Sequence, residues 1–363
     1  MMATATPRRP RKSASKSQIG GMLLEEAALF LLEGSGYTTV SLAATDPTLV
    51  ERHGMLCVRG RGSDHQIDAI ADFSYAPPFG NPHRLLVEAK MLKSRVSLPV
   101  IRNALGVHRD VCEFWVPPRG QQGQPQRPRH HYQYAVFSAS GFSKEAQAFA
   151  FAQDIFLLDM QGAGFLKEIV DAAGAFAEVL AEQLLRQPST LQDLRAVIRG
   201  ELRPVLRMNV EAQPSWARTL GSADRFFTAC KQVGRGLLGM LQSQLPVLLV
   251  PAPDLRIDAL PSQVEVQVFW SDTAWILRDS VGGRDLFSFR LPEQLWTEFE
   301  RRGLLKPEHA LDFKQQHLSR IIACHKQDDG SMRFISFRLD EGWIDAVKRR
   351  LGNPASPPRA SQA

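Results

Sequence analysis

Ile67-Asp68-Ala69-Ile70-Ala71-Asp72-Phe73 and Leu85-Leu86-Val87-Glu88-Ala89-Lys90 are the two stretches whose reading decides the fold. Both read as β-strands, and the turn-rich Tyr75-Ala76-Pro77-Pro78-Phe79-Gly80-Asn81-Pro82 separates them at hairpin distance. Side chains alternate faces along a strand, so Glu88 and Lys90 project to one side and Val87 and Ala89 to the other. The continuously apolar Leu85-Leu86-Val87 predicts a central strand covered on both faces. If the two strands are neighbours, Asp68 joins Glu88 and Lys90 at one sheet end. Two carboxylates suit a hard divalent cation, usually Mg²⁺. A lysine beside them can orient an attacking water while the metal stabilises charge developing on a phosphate. A bare Glu-x-Lys is more often a solvated strand face; its place at the end of a buried strand raises it above that. Asp64 and Asp72 compete with Asp68 for the metal role, and Asp72 shares its face.

Working outward, four segments stand in order. Gly21-Met22-Leu23-Leu24-Glu25 opens an apolar helix that leads to Gly36-Tyr37. Gly62-Ser63-Asp64-His65-Gln66-Ile67-Asp68 follows, and then Leu86-Val87-Glu88-Ala89-Lys90. The fourth is Ala135-Val136-Phe137-Ser138-Ala139-Ser140-Gly141-Phe142-Ser143, which runs on through Ala146 and Ala150 to Ile155-Phe156-Leu157-Leu158-Asp159. Together they resemble the Mrr-like branch of the restriction-endonuclease-like superfamily, with its PD-(D/E)-x-K motif. The resemblance ends at Asp159, less than half of the chain. No proline precedes Asp68, and His65-Gln66 stand where the family often has paired glycines.

The resemblance implies a restriction-endonuclease-like α/β fold, a mixed central sheet flanked by helices. It implies metal binding by Asp68 and Glu88, a catalytic Lys90 and an auxiliary acid at Glu25. The implied activity is Mg²⁺-dependent endonucleolytic hydrolysis of DNA, with Mn²⁺ as a substitute ion, in restriction, defence or DNA processing. Glu25 has an argument of its own. In a helix over about residues 19–33 it shares a stripe with Met22, Leu29 and Leu32. A carboxylate there is costly unless a cation or hydrogen bonds compensate it. The alternative is a place at the stripe's edge or a favourable interaction with the helix dipole.

With 363 residues the chain can bury two cores. No run is long enough to cross a bilayer, and the start carries no apolar signal segment, so a cytoplasmic location is expected. Cys57, Cys112, Cys230 and Cys324 are scattered without a Cys-x-x-Cys pair, which argues against a zinc site or a disulfide framework. A net charge of +6 favours a polyanionic partner. Residues 1–16 form a basic, proline-broken tail, expected to be disordered. Arg102 and Arg109, with His108, lie on the helical stretch 96–114 after the Lys90 strand and are candidate phosphate contacts. The low-complexity insertion 117–131 carries Arg119, Arg127, Arg129, His130 and His131, and is expected to leave the sheet near the site as a nucleic-acid clamp or as a plain surface insertion.

The expected divisions are a nuclease domain over 17–162 with Ser17 as N-cap of its first helix, a helical linking region over 163–244, an α+β accessory domain over 245–351 and a disordered tail over 352–363. In the accessory domain Ser288-Phe289-Arg290-Leu291-Pro292-Glu293 returns as Ser336-Phe337-Arg338-Leu339-Asp340-Glu341. Gly282 matches Gly330, and Glu300-Arg301-Arg302 matches Lys348-Arg349-Arg350, at the same offset. This predicts a duplicated β-β-α unit forming one sheet with helices on a face. No P-loop, Gly-x-Ser-x-Gly or His-Glu-x-x-His is written in the chain. A homodimer is expected because cutting two strands needs two sites or a second encounter, and any motor or modification step would fall to partner chains of a defence system. The rival readings are a catalytically inactive nucleic-acid-binding or sensor module, and a nuclease for RNA or branched DNA.

Overall fold

The apolar runs do become neighbouring strands. In the computed structural model, the described residues are 14–43, 46–52, 55–73, 75, 78–115, 129–160, 164–186, 190–202, 221–271, 274–302, 306–327 and 329–352. The basic tail up to residue 13, most of the insertion and residues 353–363 lie outside them. Helix α1 (Lys16–Gly34) opens at Ser15, not at Ser17. The Ser15 hydroxyl accepts the Gln18 N–H, and the Gln18 carbonyl oxygen accepts the Ser15 N–H. This reciprocal cap satisfies two of the donors a helix start leaves open.

Strands β1 (Tyr37–Thr39), β2 (Leu49–Arg52), β3 (Met55–Arg59), β4 (Asp64–Gln66), β5 (Ala69–Phe73), β6 (His83–Lys90), β7 (His131–Ser138) and β8 (Ile155–Asp159) build two sheets. The larger has the order β1-β5-β6-β7-β8; β2-β3-β4 form a small meander. β1, β5 and β6 run antiparallel, while β6, β7 and β8 are parallel. The two parallel crossovers are α2 (Leu98–Cys112) and α3 (Lys144–Ala152), as parallel pairing requires.

Alternation divides the buried sheet residues between two cores. Leu85, Val87, Ala135 and Phe137 pack with α1 on one face, while Leu86, Val136 and Ile155 pack under α2 and α3 on the other. The expected linking region is part of the first core. Helices α4 (Gly164–Arg186), α5 (Leu191–Leu202) and α6 (Gly221–Gly234) bury Phe176, Leu180, Leu194, Ile198 and Phe226 together with the α1 side chains.

The remaining strands are β9 (Leu237–Leu241), β10 (Pro246–Pro251), β11 (Gln263–Ser271), β12 (Ala274–Asp279), β13 (Asp285–Phe289), β14 (Arg320–Lys326) and β15 (Met332–Leu339). They close into a barrel, β10-β13-β12-β11-β15-β14-β9, rather than the single sheet with helices on a face that the repeat predicts. Closure removes sheet edges, because β9 pairs with both β10 and β14. Helices α7 (Glu293–Arg302), α8 (Pro307–His317) and α9 (Glu341–Gly352) complete this part. The repeated segments do fold alike. β12-β13-α7 and β14-β15-α9 are both β-β-α, and the helices start at the matched Glu293 and Glu341. The first turn reaches positive φ at Gly283, one residue past the matched Gly282, whereas Gly330 holds it in the second. Among the described residues no helix is long and apolar enough to cross a membrane.

Candidate active site

Register brings the site together. Ala69 of β5 opposes Val87 of β6, so Asp68, one residue earlier, comes level with Glu88. Asp68 stands in the joint between β4 and β5, outside the strand in which the sequence placed it. The chain must leave the meander for the larger sheet there, and Asp68 holds the joint: its Oδ2 accepts the Ala89 backbone N–H at 2.8 Å. The approach is fixed from behind by α2. Asp110 accepts the Gly62 N–H at 2.7 Å and the Ser63 N–H at 3.2 Å, and lies 2.6 Å from His65 Nε2. The His65 bond, ahead of those two amides, holds the Asp110 carboxyl below its ordinary range.

On β6, Lys90 Nζ lies 2.5 Å from Glu88 Oε1, and Tyr134 of β7 donates its hydroxyl to Glu88 Oε2 at 3.3 Å. The Lys90 side chain keeps 28% of its surface exposed and that of Glu88 17%, so water reaches both. The loop after Lys90 is pinned by the Gly-Phe-Ser turn. Ser140 Oγ donates to Ser94 O at 2.5 Å, Val96 N–H donates to Gly141 O, and Ser143 N–H returns to Val96 O.

Glu25 arrives from α1 on the opposite face. Burial pushes its carboxyl up to about 7; Arg195 opposes that shift, while Asp68 and Glu26 add repulsion. Burial also raises Asp68, against the pull of the Ala89 amide and Lys90, with Glu88 pushing further upward. The Tyr134 phenol is raised by burial and then by Glu88 and Asp68. Asp68, Glu88 and Lys90 thus meet at the sheet end, and Glu25 feels the charge of Asp68 from α1 on the other face.

The rival acids have other duties. Asp72 holds Arg84, which donates to both its oxygens at 2.6 and 2.8 Å and also reaches Asp46 at 2.8 Å. Asp64 is paired with Arg52. Of the predicted nucleic-acid contacts, Arg102 and Arg109 lie on α2 and Arg129 beside β7. Arg102 is exposed on α2, with its guanidinium 5.8 Å from the Phe149 ring centre. Arg109 sits in the last turn of α2, and Arg129 is half-buried just before β7. Arg119 and Arg127 lie outside the described residues. The described end of the insertion rejoins the sheet away from the site, and residues 116–128 lie outside the described residues. The chain re-enters at His131, which pairs with His83, while Lys90 pairs with Ser138. Seven residues at about 3.3 Å each put those two ends roughly 23 Å apart. A parallel crossover has to carry the chain back to the far end of the sheet.

Four participants, Glu26, Arg195, Arg199 and Tyr134, were not picked out from the sequence. Glu26 is fully buried and is gripped by Arg199 Nε at 2.9 and 2.8 Å. Arg195 donates to Glu25 from 170 residues away. Tyr134 reads as one more apolar strand residue until its hydroxyl is seen on Glu88. The available signal was complementary spacing, Glu25-Glu26 against Arg195 and Arg199 one helical turn apart, but no local rule joins segments so distant.

A cleft of about 800 Å³ lies elsewhere, between β8 and the barrel, and is walled by Phe156, Trp270, Trp296 and Leu245. Asp68, Glu88 and Lys90 do not line it. Among the described residues, no group of three or more His, Cys, Asp or Glu side chains is arranged to hold a metal ion.

No protein-family model matches the chain, and no curated protein matches it. A solved structure of AF1548, a protein of unknown function, is similar over 59% of this chain and 98% of its own, with 16% identity and a TM-score of 0.29. That likeness is too loose to assign a fold or an activity.

Proposed function

We propose that the chain is a metal-dependent endonuclease that hydrolyses DNA phosphodiester bonds, built on a restriction-endonuclease-like core of α1, β1, β5–β8 and the crossover helices. The observation that carries this reading is the meeting of Asp68, Glu88 and Lys90 at one end of adjacent strands, open to water and with Glu25 within electrostatic reach.

The residues suit a magnesium ion. Mg²⁺ keeps several waters and binds through one or two carboxylates plus substrate phosphates, so a two-carboxylate site without a third protein ligand agrees with its habits. Asp68 spends one oxygen on the Ala89 amide and makes no other hydrogen bond among the described residues. Asp68 and Glu88 would hold the ion, which supplies charge stabilisation at the phosphate when bound. Lys90 is the group able to position the attacking water, since its ammonium is reachable and tethered on the face of Glu88. Tyr134 fixes the Glu88 rotamer. Glu25, raised to about 7, can hold or release a proton beside Asp68 near neutral pH. Cutting both strands would take two such sites, and a role in defence or DNA processing follows from the activity.

The test is plasmid cleavage with Mg²⁺, comparing the native chain with Lys90→Ala and Asp68→Ala. A loss of at least about 100-fold in each variant is expected. Equal cutting by the variants would sink the site assignment.

One observation favours a second reading, a nucleic-acid-binding module that does not cut. Lys90 lies against Glu88 at 2.5 Å and already neutralises the carboxylate a metal would use. Mg²⁺ separates the two: a working site is stabilised increasingly as the ion concentration passes its Kd, and that rise in Tm vanishes in Asp68→Ala. A closed site shows no rise in either.

A further inference from the structure

The cluster has a charge problem. Asp68 and Glu88 share the sheet end, Glu25 adds its charge to Asp68 from α1, Glu26 is fully buried next to Glu25, and Lys90 is drawn onto Glu88. A phosphodiester approaching this group meets mostly negative charge. Even a bound divalent ion would leave the non-bridging oxygens in want of a positive donor. The loop after Lys90 carries the exposed Lys93 and Arg95, and Arg95 is drawn 3.8 Å from Glu293; among the described residues no contact holds either against Glu25 or Asp68.

Helix α5 supplies such a donor. Its start is fixed by a reciprocal cap, with the Thr190 hydroxyl accepting the Asp193 N–H at 3.1 Å and Asp193 accepting the Thr190 N–H at 3.0 Å. Leu194 and Ile198 are sunk in the core shared with α1. This holds two arginines against α1, and they are not equivalent. Arg199 spends its Nε on Glu26 at 2.9 and 2.8 Å. Arg195 bonds Glu25 through Nη2 alone. Its Nε sits 3.4 Å from Glu26 Oε1 as an ion pair without hydrogen-bond geometry, and that buried donor has no hydrogen-bond partner among the described residues. Its Nη1 makes no hydrogen bond among the described residues. The side chain is 35% exposed, so a ligand can reach it, and its charge is felt by both Glu25 and Asp68.

We infer that Arg195 is the phosphate anchor of this site: its Nη1 N–H groups, with the second N–H of Nη2, take the non-bridging oxygens of the DNA phosphate brought to Asp68 and Glu88. A guanidinium presents five N–H donors in a planar fork that matches two phosphate oxygens at once, which an ammonium does not. Glu25 holds the fork in place from behind through Nη2. The two arginines of α5 thus divide the work, Arg199 neutralising Glu26 and Arg195 facing the substrate. The inference rests on the nuclease reading, and it ties α5, beyond the sheet-building segment, to substrate binding.

The experiment measures binding of a short DNA duplex against salt concentration, with Ca²⁺ to block turnover, alongside single-turnover cleavage with Mg²⁺. It compares the native chain with Arg195→Gln, Arg195→Lys and, as a charge-matched control on the barrel, the exposed Arg350→Gln. Arg195→Gln is expected to weaken binding about 10-fold and to lower the salt slope by about one phosphate contact. Arg195→Lys keeps the charge beside Glu25 and should preserve Tm. It should recover the slope but cut several-fold more slowly, because the two-pronged grip is gone. Should Arg195→Gln fail to fold, Arg195→Lys carries the test alone: full native cleavage by it overturns the anchor. If the native chain cuts and Arg195→Gln binds with unchanged affinity and slope, the anchor is wrong and the nuclease reading stands. A native chain that binds with an Arg195-dependent slope but cuts nothing keeps the anchor and loses the nuclease. If it neither binds nor cuts, both are lost. An equal fall in slope for Arg350→Gln marks a general charge effect and also overturns the anchor.

Discussion

Glu25 shows what a single side chain costs this molecule. Its carboxyl is raised from an ordinary 4.5 to about 7, chiefly by burial. A raised acid binds more protons folded than unfolded between those two values. Stability therefore falls as pH rises across that window, and the full penalty is present above about 7. Asp68 is raised for the same leading reason and adds in the same direction. Glu25→Gln removes the larger penalty while keeping an acceptor for Arg195. Urea unfolding at pH 5 and pH 8 should show the variant gaining on the native chain at the higher pH, by an amount on the order of 1–3 kcal/mol. No change in the difference between the two pH values would mean that Glu25 ionises freely. Arg84 presents the opposite case. It is 2% exposed and serves Asp72, Asp46 and Thr48 together. Arg84→Ala would leave two carboxylates facing each other without their cation, and a loss of about 3–5 kcal/mol is expected by the same measurement.

Elements, rather than residues, decide which end of the sheet is chemical. The three C-terminal strand ends carry Lys90, Ser138 and Asp159 in register. The turn after β7 is built to hold the loop after β6. Gly141 sits at φ +73°, where an L side chain is strained, and a Cβ there would come 2.9 Å from Asp159 Oδ2. Gly141→Ala should cost about 1–3 kcal/mol in urea unfolding. It should also slow cleavage without touching any group of the cluster, since Val96 hangs on the Gly141 carbonyl. Native cleavage by a measurably destabilised Gly141→Ala would show that the loop after Lys90 has slack. At the other sheet end the insertion enters beside His83 and His131, whose rings lie 4.8 Å apart. Arg129, beside β7 at that end, is set apart from the cluster, and replacing it should leave the cleavage rate of bound DNA unchanged.

At the scale of the molecule, α1 is shared property. It carries Glu25 toward the site while α4 and α6 pack along it, and the Ser35 hydroxyl at its end accepts the Leu238 N–H of the barrel at 3.0 Å. A chain ending at Met160 keeps every strand of the larger sheet yet uncovers this helix. It is expected to lose its cooperative urea transition and to bind a hydrophobic dye; a sharp native-like transition would show that α4–α6 are dispensable. The sequence by itself determined what depends on near neighbours along the chain: the buried run Leu85–Val87, the alternation that sends Glu88 and Lys90 one way, the hairpin with β5, and the two β-β-α copies. These rest on periodicity and turn chemistry, which act within a dozen residues. Tertiary structure alone decided what depends on packing. It gave Asp72 to Arg84, left Asp68 for the joint, set Arg195 beside Glu25 and curled the repeats into a closed barrel. The physical reason is that a buried charge takes whichever counter-charge the fold delivers, and a sheet closes when its two last strands happen to meet. Neither event is settled by the spacing of near neighbours along the chain.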